Sequence, residues 1–171
     1  FMGYFRRGES QLLIVADGMG GHSGGFEASR VAVDILGSAF AEASPEQSPA
    51  TLLRESILAA NAAVRQVASS NPLLEGMGTT IVVAIVQDGQ AYLAHVGDSR
   101  AYLIRDKKAI LLTLDHSRIF RMLEAGMVHA DQIDDHPMGH ILERSIGSNE
   151  VVEVEVRAEP VTLQAGDRLV L

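Results

Sequence analysis

The sequence has no cysteine, and this absence limits which metal ligands, nucleophiles and cellular compartments are expected for the protein. Disulfides, thiolate zinc sites and a cysteine nucleophile are excluded, so oxygen and imidazole groups are the protein ligands left for a metal ion. A chain without cysteine suits a reducing compartment, and we therefore expect a cytoplasmic location.

Positive charge is also scarce, because 14 lysine and arginine residues stand against 22 aspartate and glutamate residues, giving a net charge of -8. An acidic surface does not attract a nucleic-acid backbone or an anionic membrane, so we expect neither as a partner. No apolar run is long enough to cross a bilayer, and residues 1–7 lack the layout of a signal peptide.

What is present is the composition of a globular domain. The 171 residues are 47% hydrophobic, enough for a substantial core, and we expect a single domain over residues 1–171. Helical periodicity marks residues 26–42, and a second helix follows and ends near Pro72, where proline forbids continuation. A short third helix is predicted over residues 117–125, with Gly126 in the position of a helix stop.

Strand periodicity dominates the middle of the chain. Residues 79–87 and 91–96 flank Asp88-Gly89, which is a strong hairpin signal. Two more strands are predicted over residues 101–105 and 109–113, after a turn at Gly97-Asp98-Ser99, and residues 151–156 alternate like a strand. Because sequential strands usually pair, the pattern predicts an antiparallel meander, and the whole chain reads as an α+β fold with helices on sheet faces.

One glycine-rich stretch carries the main functional signal. It follows the apolar run of residues 12–16 and reads Asp17-Gly18-Met19-Gly20-Gly21-His22-Ser23-Gly24-Gly25. Glycine lets the backbone approach whatever the carboxylate binds, and a carboxylate beside bare backbone oxygen is a ligand set for a hard cation. At this point an equally good interpretation is a strand-to-helix turn, in which Asp17 caps the helix and the glycines bend the chain.

Two further acids lie where the backbone must turn. Asp98 occupies the turn after the second strand of the hairpin, where a carboxylate can accept backbone donors, and Arg100 can hold it by an ion pair. Asp115 follows the fourth strand of the meander, and taken alone it is better explained as an N-cap of the third helix than as a ligand.

The histidines differ in their settings. His22 lies in the glycine-rich stretch, where an imidazole can protonate a leaving group. His95 lies within a strand and is predicted to be a core histidine. His129, His136 and His140 are not spaced like the ligands of a zinc site, so we assign them no metal. A Gly-x-Ser-x-Gly elbow is also missing, so serine-hydrolase chemistry fits poorly.

Four motifs in this order resemble the bacterial PPM-type, metal-dependent Ser/Thr protein phosphatases of the type 2C family. They are Asp17-Gly18-Met19-Gly20-Gly21-His22, Gly78-Thr79-Thr80, Gly97-Asp98-Ser99-Arg100-Ala101-Tyr102 and Leu112-Thr113-Leu114-Asp115-His116-Ser117. The resemblance extends over essentially the whole chain. It implies two antiparallel β-sheets packed as a sandwich with helices on the outside.

The same resemblance implies a chemistry. Two Mn²⁺ or Mg²⁺ ions, with a third and weaker site, activate a water that attacks phosphoserine or phosphothreonine in protein substrates. Asp17 matches the carboxylate that bridges both ions, the Gly18 carbonyl matches a ligand of one ion, and Asp115 matches a ligand of the third site. His22 lies near the family's general acid. A phosphatase of this kind opposes a Ser/Thr kinase.

The sequence also departs from the family pattern. The family's first strand, with its phosphate-binding arginine and Asn-Glu-Asp motif, and its later Asp-Gly and Asn-Asp metal motifs do not occur in residues 1–171. Gly139-His140 replaces the Arg-Asn commonly found beside the flap. We therefore expect an incomplete fold that binds metal weakly, little activity from residues 1–171 alone, clear activity from the full gene product, and a dimer through open sheet edges.

Two alternatives stay open on these residues. A catalytically inactive phosphatase-like domain would act as a binding or regulatory module. A phosphatase of the sporulation and stress-response branch, acting on an anti-sigma-factor antagonist, matches the first and last of the four motifs less well.

Overall fold

The computed structural model describes residues 1–133, 136–139 and 141–171, and for His22 it describes the backbone without the side chain. In chain order the strands and helices are β1 (Met2–Arg7), β2 (Ser10–Val15), β3 (Gly18–Met19), α1 (Gly21–Glu42), α2 (Pro49–Ser70), β4 (Gly78–Thr79), β5 (Ile81–Gln87), β6 (Gln90–Val96), β7 (Tyr102–Arg105), β8 (Lys108–Leu111), α3 (Arg118–Glu124), β9 (Glu155–Val156), β10 (Val161–Thr162) and β11 (Arg168–Val170). Two short 3₁₀ turns cover Pro72–Leu74 and Ala130–Gln132.

Two antiparallel sheets form the body of the molecule. The larger has the order β1-β2-β5-β6-β10, with β9 also paired to β6, and the smaller has the order β11-β7-β8. A separate two-stranded pair joins β3 to β4. The predicted hairpin is confirmed: β5 pairs with β6 through a turn in which Asp88 and Gly89 both have positive φ, as a two-residue hairpin turn of this hand requires.

Strand β5 is buried on both faces and divides the core in two. Ile81, Val83 and Ile85 pack with α1 and α2, while Val82 and Ala84 belong to a second cluster that includes residues of the smaller sheet. This double burial explains the continuous apolar run that marks the segment in the sequence. The α+β prediction of a two-sheet sandwich with helices on the outside is confirmed.

The meander prediction is wrong at one connection. Strand β7 pairs with β8 and β11 rather than with β6, so the chain changes sheets at Gly97-Asp98-Ser99-Arg100. Gly97 has φ of 109° at this corner, which favours glycine, and a Cβ there would lie 2.6 Å from Thr80. A tight turn and a change of sheet give the same local sequence signal, which is why the pattern does not separate them.

Helix α1 begins at Gly21, whereas the periodicity predicted a start near residue 26. The first turn of α1 lies against β3 so closely that a Cβ on Gly25 would be 2.6 Å from the Gly18 carbonyl oxygen, and a Cβ on Gly18 would clash with the Gly25 carbonyl. Glycine is a poor helix former, but here it permits backbone contact between two elements. Tertiary packing therefore overrides local propensity.

Other boundaries follow local chemistry. Helix α2 starts where the Ser48 side chain accepts a hydrogen bond from the Thr51 amide, and it ends at Ser70, as predicted from the following proline. Gly126, with φ of 68°, ends α3 as predicted. Strand β1 occupies residues for which no element was predicted, and β9 is shorter than the predicted 151–156. Among the helices that the structure describes, none combines the length and apolar composition needed to span a membrane.

Candidate metal and phosphoester site

Asp17 leaves the end of β2 with its backbone fixed and its carboxylate open to solvent. Its carbonyl oxygen accepts hydrogen bonds from the Thr80 amide at 2.9 Å and the Thr79 hydroxyl at 3.0 Å. Its own amide donates to Thr80 Oγ1 at 3.2 Å. The residue is exposed and does not cap α1, since Gly20 occupies the N-cap and no side chain caps it. The capping interpretation of Asp17 is therefore wrong.

Thr80 ties this acid to the corner where the chain changes sheets. Its hydroxyl lies 2.6 Å from Ser99 Oγ, and the same oxygen accepts the Asp17 amide hydrogen. The Thr80 side chain also fills the space that a Cβ on Gly97 would need. The ends of β2 and β6 are thereby held together, which brings the segment after each strand to one end of the sandwich.

Asp98 lies in this corner, where the charges of Asp17 and Asp115 affect its pKa. Burial raises its pKa above the ordinary value, and the negative charges of Asp115 and Asp17 raise the pKa further. Arg100 acts in the opposite direction. The three aspartates that the sequence singled out are thus close enough for their charges to interact, although they lie far apart in the chain.

Asp115 is held by an arginine rather than by a helix end. Arg100 Nε donates to Asp115 Oδ1 at 2.8 Å, and Arg100 Nη2 donates to Oδ2 at 2.6 Å, while the Asp115 side chain is 8% exposed. These bonds raise the pKa of Arg100. The N-cap prediction for Asp115 is wrong, because Ser117 is the N-cap of α3 and makes no side-chain capping bond. The pairing predicted between Arg100 and Asp98 is replaced by this bidentate bond.

The remaining predicted site residues have different outcomes. Gly18 pairs with Thr79 across the β3–β4 ladder, and its carbonyl lies against Gly25. His22 is the second residue of α1, and its side chain, for which the family resemblance implies a catalytic role, lies outside the described residues. His140 also lies outside them.

One cluster was missed by sequence reasoning. In the part of the chain that the structure describes, His95, His116 and Glu155 are the histidine and acidic side chains whose ligand atoms all lie within 4.8 Å of one another. His95 is buried and hydrogen-bonded, as predicted for a core histidine, with Nε2 2.6 Å from the Leu114 carbonyl oxygen. A strand was predicted over residues 151–156, but its partner was not, and it is the pairing of β9 with β6 that places Glu155 opposite His95.

The donor set at the end of the sandwich suits a hard divalent cation. Asp17, Asp98 and Asp115 supply carboxylate oxygens, and one arginine offsets part of their charge. The repulsion that raises the pKa of Asp98 is a cost that a bound cation would remove. The residues present therefore fit Mn²⁺ or Mg²⁺, whose preferred ligands are oxygen atoms.

Comparison with known proteins agrees with this chemistry. Residues 2–131 match the family model described as protein phosphatase 2C. The serine/threonine phosphatase stp of Listeria monocytogenes is 38% identical over 173 residues, which cover 99% of this chain and 68% of the relative. Protein phosphatase PhpP of Streptococcus pneumoniae is 35% identical over 170 residues, covering 98% of this chain and 68% of PhpP.

Solved structures give the same result. The serine/threonine phosphatase of S. agalactiae superposes with a TM-score of 0.86 at 34% identity, covering 99% of this chain and 70% of that one. The catalytic domain of the phosphatase PstP, solved in complex with two manganese ions, gives a TM-score of 0.77 at 28% identity, covering 98% of this chain and 68% of that one. With a family model matching most of its length and curated relatives above 30% identity, the chain belongs to the protein phosphatase 2C family.

Proposed function

We propose that this chain hydrolyses phosphoserine and phosphothreonine in proteins, using two Mn²⁺ or Mg²⁺ ions held at the end of the sandwich. The observation that carries the proposal is the convergence of three acids at one end of the sandwich, where Thr80 bonds to Asp17 and to Ser99, the neighbour of Asp98, and Arg100 bonds to Asp115. When bound, the cations lower the pKa of water toward neutrality and neutralise the oxygens of the phosphate.

The chain's own residues have separate roles in this proposal. Asp17 would hold both cations through its carboxylate, which is exposed while its backbone is fixed by Thr79 and Thr80. The Gly18 carbonyl would hold one of the ions, and Asp115, which is paired with Arg100, would contribute to the third, weaker site. His22 donates the proton to the leaving serine or threonine oxygen, as an imidazole at neutral pH is able to do.

The experiment that tests the function uses the full gene product. We expect Mn²⁺-dependent hydrolysis of p-nitrophenyl phosphate and of a phosphothreonine peptide, abolished by a chelator and restored by added Mn²⁺. Residues 1–171 alone should give much less activity. Absence of hydrolysis in the full gene product across a range of Mn²⁺ and Mg²⁺ concentrations would instead support the inactive binding module.

Dimerisation is a separate proposal based on the edge of the larger sheet. Strand β1 is the outer strand of this sheet and, within the described residues, pairs with β2 alone. Its side chains include the exposed Met2 and Tyr4. An unpaired edge invites pairing with a second copy. We expect light scattering of residues 1–171 to give the mass of a dimer, and a monodisperse monomer would contradict this.

The biological setting follows from the chemistry proposed. Phosphorylated proteins are the substrates, and the enzyme opposes a Ser/Thr kinase that makes them. A cytoplasmic location also stays a prediction, which fractionation of cells followed by detection of the native protein would test.

A further inference from the structure

His116 forms two hydrogen bonds with the backbone of Gly97, the residue that precedes Asp98. The His116 amide donates to the Gly97 carbonyl oxygen at 2.9 Å, and the Gly97 amide donates to His116 Nδ1 at 3.1 Å. Both polar groups of Gly97 are therefore bonded to a single residue. His116 also follows Asp115 directly in the chain. Its two bonds to Gly97 therefore connect the turn that carries Asp115 to the turn that carries Asp98.

The contacts of His116 define which nitrogen carries the proton. Nδ1 accepts the Gly97 amide hydrogen, so the neutral ring must carry its proton on Nε2. Nε2 lies 3.0 Å from a carboxylate oxygen of Glu155, which is the acceptor that such a proton needs. Glu155 therefore stabilises the tautomer of His116 that is protonated on Nε2. In this tautomer Nδ1 keeps its lone pair free to accept the Gly97 amide hydrogen.

His95 completes the arrangement on the other side of Asp115. Its ring stacks on that of His116 with centroids 4.4 Å apart and an interplanar angle of 16°. Because the Leu114 carbonyl can only accept, His95 Nε2 must donate to it across the 2.6 Å contact. Leu114 and His116 flank Asp115, so His95 contacts both chain neighbours of Asp115.

This tautomer argues against a metal ion within the cluster itself. A metal needs a lone pair on each ligating nitrogen, but Nδ1 of His116 is occupied by an amide hydrogen and Nε2 carries a proton. The Arg144 guanidinium lies 3.2 Å from His116 Nε2, but it can only donate and so is not the partner of a protonated Nε2. It forms an ion pair with Glu153 and places a positive charge beside the site. The cluster is built to orient backbone, not to bind a cation.

We propose that His95, His116 and Glu155 form a histidine clamp that positions the Asp98 and Asp115 turns for cation binding. His116 is a positioning residue that acts through Gly97, and Glu155 acts through the tautomer of His116. Partners that orient metal-binding groups change metal affinity or activity by about 10–100-fold when they are removed. The expected effect of the clamp on Mn²⁺ affinity rests on the proposed function, whereas the hydrogen bonds of the clamp do not depend on it.

The decisive test uses matched substitutions in the full gene product. His116→Asn places an amide oxygen near the position of Nδ1 and keeps an acceptor for Gly97, whereas His116→Gln places its amide near Nε2 and loses that acceptor. We expect His116→Gln to weaken Mn²⁺ binding, measured by calorimetry, by about 10-fold or more, and His116→Asn to stay close to the unmodified protein. Glu155→Ala should behave like His116→Gln, and Glu155→Gln, which keeps an acceptor, should not.

Two readouts are independent of metal and activity. In the metal-free protein, ¹⁵N spectra should show His116 protonated on Nε2, and the Gly97 amide should exchange faster in His116→Gln than in His116→Asn. An Nδ1-protonated ring, or affinity losses that follow unfolding temperature regardless of which hydrogen bond is kept, would overturn the clamp. Failure of the unmodified protein to bind Mn²⁺ would overturn the proposed function while leaving these two readouts to judge the clamp.

Discussion

Replacing Asp17 by asparagine is expected to lower Mn²⁺-dependent phosphatase activity of the full gene product by about 1,000-fold or more. The side chain is exposed, and the hydrogen bonds that fix this residue to Thr79 and Thr80 within the described part of the chain come from its backbone and persist in the variant. Cations that stabilise a phosphoryl transition state contribute several kcal/mol, and each 1.36 kcal/mol corresponds to a factor of ten in rate. Steady-state kinetics at saturating Mn²⁺ measure the loss.

The control for this substitution is Asp88→Asn in the β5–β6 turn. Asp88 has φ of 52°, a conformation that asparagine tolerates, and it lies at the opposite end of β6 from Asp98. Both variants should unfold at about the temperature of the unmodified protein. If Asp17→Asn kept most of its activity, or if Asp88→Asn lost as much, the bridging role of Asp17 would be wrong.

Replacing Asp98 by asparagine should have opposite effects on stability and on metal binding. In the folded protein, burial and the charges of Asp115 and Asp17 raise the pKa of Asp98. The ionised carboxylate is therefore disfavoured by folding, and this cost grows as the pH rises from about 4, the unfolded value, through the raised folded pKa. Asparagine carries no charge, so the metal-free variant should be the more stable protein at neutral pH.

At neutral pH the metal-free variant should therefore unfold at a higher temperature than the unmodified protein. The difference between the two proteins should vanish below about pH 4, where the carboxyl group is protonated in both states. Adding Mn²⁺ should reverse the order, because the variant has lost one of the charges that attract the cation. Calorimetric unfolding with and without Mn²⁺ at several pH values tests this, and a destabilised metal-free variant would contradict it.

The sequence predicted best where a local pattern has one structural explanation. The β-branched run at residues 79–87 predicted a strand and Asp88-Gly89 predicted a hairpin turn, and both predictions are confirmed. The start of α1 was missed because its glycines look like a loop until their contact with Gly18 is known. The meander failed at Gly97 because a change of sheet depends on where distant strands pack.

The site shows the same division. Asp17, Asp98 and Asp115 were each recognised as acids at forced turns, but their convergence is a property of the folded chain. The partner of Arg100 was misjudged because nearness in sequence favoured Asp98, while geometry favours Asp115. The histidine clamp gave no signal, since its members lie in separate segments without a shared period.

Strands β2, β5 and β6 lie at the centre of the larger sheet, and the segments that carry Asp17 and Asp98 directly follow β2 and β6. Amide hydrogens in such interior strands exchange only when a whole domain opens, not by fraying. Asp17 and Asp98 therefore depend on the most persistent part of the molecule, whereas Asp115 follows β8, an outer strand of the smaller sheet. A mutation that loosens the helices or the outer strands of the larger sheet can lower the amount of folded enzyme without altering the affinity of those molecules that remain folded.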